Sequence, residues 1–200
     1  MKIAVMTQPL GSNYGGIMQA FALQKVLRDY GHEVITIDRR NDKGSFILQA
    51  GRVLRSYFYR ILSQKNAQHL SAKERCYVFH GMKKFIQNNI SLSAPIHSTE
   101  ALKDYFSRAN FELVVIGSDQ VWRPKYSPNI YNFFGNAVVG RAAIVAYAAS
   151  FGVDEWEYTP VQTEHCKKLA KKFSAISVRE RGGVKLCKEY LGVDPLLVLD

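Results

Sequence analysis

The chain has 200 residues, 47% of them hydrophobic, and a formal net charge of +10. That is enough apolar sequence for a domain with its own core, which excludes a disordered or low-complexity protein. Cys76, Cys166 and Cys187 are odd in number and unpaired in spacing, and the five histidines show no i, i+4 pair, so neither a disulfide framework nor a metal site is expected.

No run approaches the roughly 20 apolar residues that span a bilayer. The longest, AAIVAYAASFGV (residues 142–153), reads as a buried strand entering a loop. The opening MKIAVMTQ lacks the apolar core of a signal peptide, so a cytoplasmic protein is expected.

IAVM (residues 3–6) reads as a short strand with residues 8–15 as its exit loop. From Ile17, apolar residues recur at Ala20, Phe21, Leu23, Leu27 and Tyr30, the spacing of a helix that Gly31 stops. EVITID (33–38) is a second strand, rich in β-branched residues. Strand, helix and strand in close succession make a βαβ unit, which implies a parallel sheet covered by helices. Residues 39–89 interrupt this rhythm. STEALKDYFSRA (98–109) predicts a helix with Ser98 or Thr99 as its N-cap. It leads into FELVVIGSD (111–119), whose LVVI is the strongest strand signal in the chain. RAAIVAYAAS (141–150) is a further buried strand. TPVQTEHCKKLAKKF (159–173) opens with a Thr cap, Pro at the first helical position and Gln three residues after the cap. SAISVRE (174–180) predicts a strand, residues 182–191 a helix stopped by Gly192, and PLLVLD (195–200) a last strand. The fold class expected is α/β, a Rossmann-like doubly wound parallel sheet.

The first exit loop, QPLGSNYGG, has the layout of a phosphate cradle without its chemistry. A P-loop needs a lysine directly after its last glycine, where this chain has Ile17 and Met18 beyond Gly16. The dinucleotide fingerprint needs GxGxxG, whereas Gly11, Gly15 and Gly16 are spaced GxxxGG; Asp38, ending the second strand where a ribose would be held, keeps that reading open. The glycines also suit a tight turn and close helix packing. Even so, Asn13, Tyr14 and the Gly15 and Gly16 amides lie where a strand ends and a helix begins, the edge at which open α/β sheets bind ligands. The other strand exits carry Ser118, Asp119, Gln120, Trp122 and Arg123, then Ser150, then Arg179 and Glu180. If the strands are parallel, all four exits share one rim.

NYGGIMQAFALQKVLRDYGHEV, VVIGSDQVWRP, AYAASFG and SVRERGGVKLCKEYLGVDPLLVLD stand in the order found in the polysaccharide pyruvyl transferase family, which the chain resembles everywhere except about residues 40–90. The resemblance implies one half of a GT-B-like two-domain fold, with residues 1–200 as an N-terminal Rossmann-like domain bearing a basic helical insert. It implies transfer of a pyruvyl group from phosphoenolpyruvate, a co-substrate rather than a cofactor, to a sugar of a surface polysaccharide or its lipid-linked precursor. Many members carry a glycine run after the third strand, where this chain has GSDQVW. The family's phosphoenolpyruvate-binding arginine and catalytic histidine belong to a C-terminal domain that is expected to be missing here, leaving a fragment inactive by itself.

On that reading the rim binds the acceptor sugar. Asp119 is the candidate base or hydroxyl-orienting residue, with a turn cap as its alternative. Trp122 or Tyr14 would supply an aromatic platform, and Asn13 and Gln120 would hold hydroxyls. Gly15, Gly16, Ser118 and Ser150 complete the candidate rim. Arg179 would point at an anion in the cleft or pair with Glu180 or another acid.

Between Arg39 and Lys84 stand eleven basic residues against only Asp42 and Glu74. FILQAGRVLRSYFYRIL, from Phe46 to Leu62, places Ile47, Ala50, Leu54, Tyr57, Phe58 and Ile61 on one helical face and Arg52, Arg55 and Arg60 opposite. This pattern suits either packing on the domain or peripheral contact with anionic lipid at the inner face of the membrane. No nucleic-acid-binding motif accompanies it, so no nucleic acid partner is expected. The competing functions are half of a GT-B sugar-nucleotide glycosyltransferase and a non-catalytic glycan or membrane docking module.

Overall fold

The computed structural model describes residues 1–11, 13–42 and 72–200. The stretch from Phe46 to Leu62, with its membrane-contact and packing readings, lies outside the described residues. None of the described helices is long and apolar enough to cross a membrane.

Six strands form one sheet: β1 (Lys2–Met6), β2 (Glu33–Thr36), β3 (Leu113–Asp119), β4 (Ala143–Ala149), β5 (Ala175–Val178) and β6 (Leu196–Leu197). Their spatial order is β2-β1-β3-β4-β5-β6 and every pairing is parallel. The helices are α1 (Tyr14–Asp29), α2 (Ala72–Asn89), α3 (Thr99–Ala109), α4 (Pro160–Ala170) and α5 (Arg181–Leu186), the last running into a π-helical turn over Cys187–Leu191. The Rossmann-like α/β sheet expected from the sequence is therefore present.

Alternation along the strands assigns the two faces. Ile3, Val5 and Val115 pack with Leu23 and Leu27 of α1 on one side. Ala4, Met6, Val114 and Ile116 face the larger core on the other, with Leu102 and Phe106 of α3 and Cys166 and Leu169 of α4. Right-handed crossovers explain the division. The connection from β1 to β2 steps in the opposite direction to every later one, so among the described helices α1 is the one packed on that face.

Local signals end the helices as the sequence predicts. Ser98 Oγ accepts the Ala101 amide at 3.0 Å, and Asn110 takes φ +51° to stop α3. Thr159 and Gln162 form a reciprocal capping box at 3.3 and 2.9 Å, worth about 1 kcal/mol. Other boundaries move. Helix α1 starts at Tyr14, three residues before its first apolar position, because the amides of a first helical turn need no helical partner and glycine is tolerated there. Strand β2 ends at Thr36 rather than Asp38, because residues 91–96 return to the edge there: the Thr36 amide donates to Ser91 O at 2.8 Å and the Ile96 amide to Asp38 O at 2.9 Å.

The basic segment is partly structural. Arg39 is fully buried, donating through Nε to Asn132 Oδ1 at 2.8 Å and pairing with Asp42 at 2.5 Å. Asp38 is 3% exposed and paired to Arg40 at 2.5 Å, so its carboxylate is engaged by protein rather than offered to a ribose. Burial pushes the Cys166 and Cys187 thiols up to about 12, which keeps both neutral and inert within the core.

Candidate functional site

The strand order reverses between β1 and β3, which opens a crevice at their C-terminal ends, the general ligand position in such sheets. A cavity of about 430 Å³ lies there, bounded by Gln8, Pro9 and Asn13 from the first exit loop and by Asp119, Gln120, Lys125 and Tyr126 from the third.

Asp119 is the centre of this arrangement. Its backbone has φ +78°, a left-handed conformation that is strained for most residues but is tolerated by Asp and Asn, and the residue is only 7% exposed. Its Oδ1 accepts the Gln120 amide at 2.8 Å. Its Oδ2 lies over the N-terminus of α1: a Cβ added to Gly16 would stand 3.0 Å from that oxygen and 3.2 Å from Asn13 Nδ2. Gly16 is thus the glycine that permits the close approach, and the helix dipole favours the carboxylate there. Gly15 has no such role, since its added Cβ would meet only Asn13 Oδ1 at an ordinary 3.5 Å. Asn13 occupies the N-cap position but makes no side-chain cap bond, which leaves its amide for the crevice.

The four predicted exits do converge. The Ser150 amide donates to Asp119 O at 3.1 Å, and the Phe151 amide to Glu180 Oε1 at 3.0 Å. A bulge late in β4 makes this possible. Ala148 takes φ +46° there, and Ser177 Oγ bridges the distortion by accepting the Ala148 amide at 3.1 Å and donating to Ala146 O at 3.0 Å. Arg179 sits 3.7 Å from Asp119 Oδ1 and 3.6 Å from Glu180, and it donates to Asp200 at 2.8 Å. Of its two readings, the one paired with acids is the one found. Gln19 also donates to Asp200, which ties α1 to the same cluster.

Some predicted residues have other work. Trp122 is fully buried, stacked on Phe134 at 4.8 Å, with its indole N–H donated to Phe133 O at 2.8 Å. It fastens the loop to the core and offers no face to the rim, a correction to its reading as a platform. Ser150 is buried, its Oγ accepting the Gly152 amide at 2.9 Å. Ser118 is buried beneath the crevice, where its carbonyl accepts the Thr7 hydroxyl at 2.9 Å. Both shape the floor without lining the cavity. Tyr14 is 66% exposed on the first turn of α1 but does not border the cavity.

Gln8, Lys125, Tyr126 and Asp200 were not singled out from the sequence. Gln8 Nε2 donates to Gln120 O at 2.8 Å and to Ser127 Oγ at 2.9 Å, joining the two loops. Gln8 had the signal of position, two residues beyond β1, whereas Lys125 and Tyr126 lie six and seven residues past β3 and Asp200 closes the stretch predicted as the last strand.

Beside the crevice, Glu157 holds Arg123 at 3.1 Å and Lys125 at 2.5 Å. Hydrogen bonds from Arg123, then from Lys125, keep its carboxyl below the ordinary carboxylate range. A folded-state pKa lowered in this way stabilises the fold above the ordinary carboxylate pKa, and the contribution is lost as pH falls through the lowered value. The wild type should therefore melt above Glu157→Gln at neutral pH, with the gap closing in acid. A gap that does not change with pH would contradict the ion pairing.

A comparison with curated proteins gives no match. The family model described as polysaccharide pyruvyl transferase matches residues 13–200, from the Asn13 N-cap through all four strand exits to Asp200. A match over nearly the whole chain, on a sheet whose exits meet in one crevice, is sufficient: the chain belongs to the polysaccharide pyruvyl transferase family.

Proposed function

We propose that residues 1–200 form the acceptor-side half of a GT-B-like pyruvyltransferase, which moves the pyruvyl group of phosphoenolpyruvate onto two hydroxyls of a sugar. The observation that carries this reading is the Asp119 carboxylate, held in a left-handed backbone beside the start of α1. Around it are the Asn13 amide, which makes no cap bond and can both donate to and accept from a hydroxyl, and the Gln8 amide, whose oxygen can accept while its N–H groups hold Gln120 O and Ser127 Oγ. The nearby cations have carboxylate partners, Arg179 with Asp200 and Lys125 with Glu157, which suits an uncharged ligand better than an enol phosphate.

The chemistry then divides as follows. One sugar hydroxyl adds to C2 of phosphoenolpyruvate, with Asp119 orienting it and taking its proton. The C3 methylene gains a proton and becomes a methyl group. The second hydroxyl replaces the phosphate at C2 and closes the ketal, so two hydroxyl protons are lost while one proton is gained at C3 and the other accompanies the phosphate. The acid for C3, and the cations for the carboxylate and phosphate, belong to the family's other domain. A lipid-linked acceptor and a peripheral position at the cytoplasmic face of the membrane form part of the same reading, because the basic sequence from Phe46 to Leu62 suits anionic lipid.

The test is phosphate release by the full-length gene product, with phosphoenolpyruvate and galactose- or mannose-containing glycans. Release that depends on the glycan is expected. Release of nucleoside diphosphate from a sugar nucleotide instead would make this a glycosyltransferase, and glycan binding without turnover would make it a docking module.

A further inference from the structure

We infer that Tyr126 is the aromatic platform of the crevice, laying one ring face against the C–H face of a pyranose while Arg123 and Glu157 brace it from behind; this rests on the acceptor reading above. With Trp122 buried and Tyr14 away from the cavity, Tyr126 is, among the described residues, the aromatic that borders it.

Tyr126 is 57% exposed, although its backbone is closely held. The Tyr126 and Ser127 amides both donate to Arg123 O at 3.1 Å, and Ser127 Oγ donates to Val121 O at 2.6 Å. The Arg123 guanidinium stands 4.6 Å from the ring centroid, a cation–π contact on one face. That guanidinium is fixed in turn by Glu157, at 3.1 Å through Nε and 3.4 Å through its terminal nitrogen. A two-torsion side chain with one face covered by a fixed cation has little freedom left to lose on binding, which makes it an efficient contact surface.

The ligand class follows from what the crevice combines. A carboxylate and amides require a hydroxyl-bearing edge, and an exposed aromatic face requires an apolar one. A pyranose has both, with hydroxyls around its rim and axial C–H bonds on its faces. A cavity of about 430 Å³ falls within the range of small-ligand sites.

The experiment measures binding of methyl β-galactoside and methyl α-mannoside to the full-length protein by ligand-observed NMR, without phosphoenolpyruvate. Binding of one glycoside to the wild type is expected, with its ring C–H signals shifted upfield by the aromatic face. Tyr126→Ala should weaken binding about tenfold, whereas Tyr126→Phe should bind like the wild type, because the face remains when the hydroxyl is lost. Glu157→Gln should weaken binding to an intermediate degree by loosening Arg123. Undiminished binding in Tyr126→Ala, with loss in Asp119→Asn, would remove the platform and leave the acceptor reading intact. Equal losses in the Phe and Ala variants would assign the effect to the hydroxyl and end the stacking claim. Failure of the wild type to bind either glycoside at millimolar concentration would overturn both.

Discussion

Asp119→Asn is expected to reduce acceptor-dependent phosphate release by about 10²–10⁴-fold, the usual loss when a positioned general base is removed. Stability should scarcely change, because asparagine tolerates the φ of +78° and its amide oxygen can still accept the Gln120 N–H. The attraction between Asp119 and Arg179 is lost, but at 3.7 Å it is loose, and Arg179 keeps Asp200 at 2.8 Å. The variant thus separates the two readings of this residue. A base or hydroxyl-orienting group loses turnover with its charge, whereas a turn residue loses nothing. Wild-type phosphate release from Asp119→Asn would reduce Asp119 to a turn residue. A rise in KM at unchanged kcat would show that it binds acceptor without assisting the transfer.

The second large effect is on stability. Trp122→Ala should destabilise the fold by about 3–5 kcal/mol, the range for truncating a fully buried large aromatic. The indole is stacked on Phe134, tilted against Phe151 at 5.5 Å, and donates its N–H to Phe133 O. Removing it opens a cavity and leaves that carbonyl without its donor. Against a typical total of about 5–15 kcal/mol the loss is severe, and denaturant unfolding would show it as a large drop in midpoint. Trp122→Phe should lose less, since it keeps a ring against Phe134. If Trp122→Ala instead unfolded like the wild type and failed only in sugar binding, the residue would belong to the rim after all.

Both variants lie in the segment GSDQVWRPKYSP, where sequence reading was weakest. A loop has no period, so nothing local says which of Trp122 and Tyr126 turns inward. Trp122, read together with Tyr14 as a platform, has the larger area to bury, and the pocket formed by Phe133, Phe134 and Phe151 takes it. Tyr126, four residues later, is left outside, where Arg123 can cover one face.

What the sequence by itself determined is what depends on near neighbours. Alternation through Ile3, Ala4, Val5 and Met6, the apolar spacing from Ile17 to Leu27, and the caps at Ser98 and Thr159 specify strands and helices whose signals lie within a few residues. Once the units were strand, helix, strand, crossover handedness left a parallel sheet with its exits on one rim. The tertiary structure alone decided the contacts made across that rim. It selected Gly16 over Gly15 as the glycine beneath Asp119, gave Arg179 a partner in Asp200, and brought Gln8 onto the loop that holds Gln120. Each of these is a close approach between residues distant in the chain, set by how far one strand end or helix start projects beside another, and no local pattern encodes that distance.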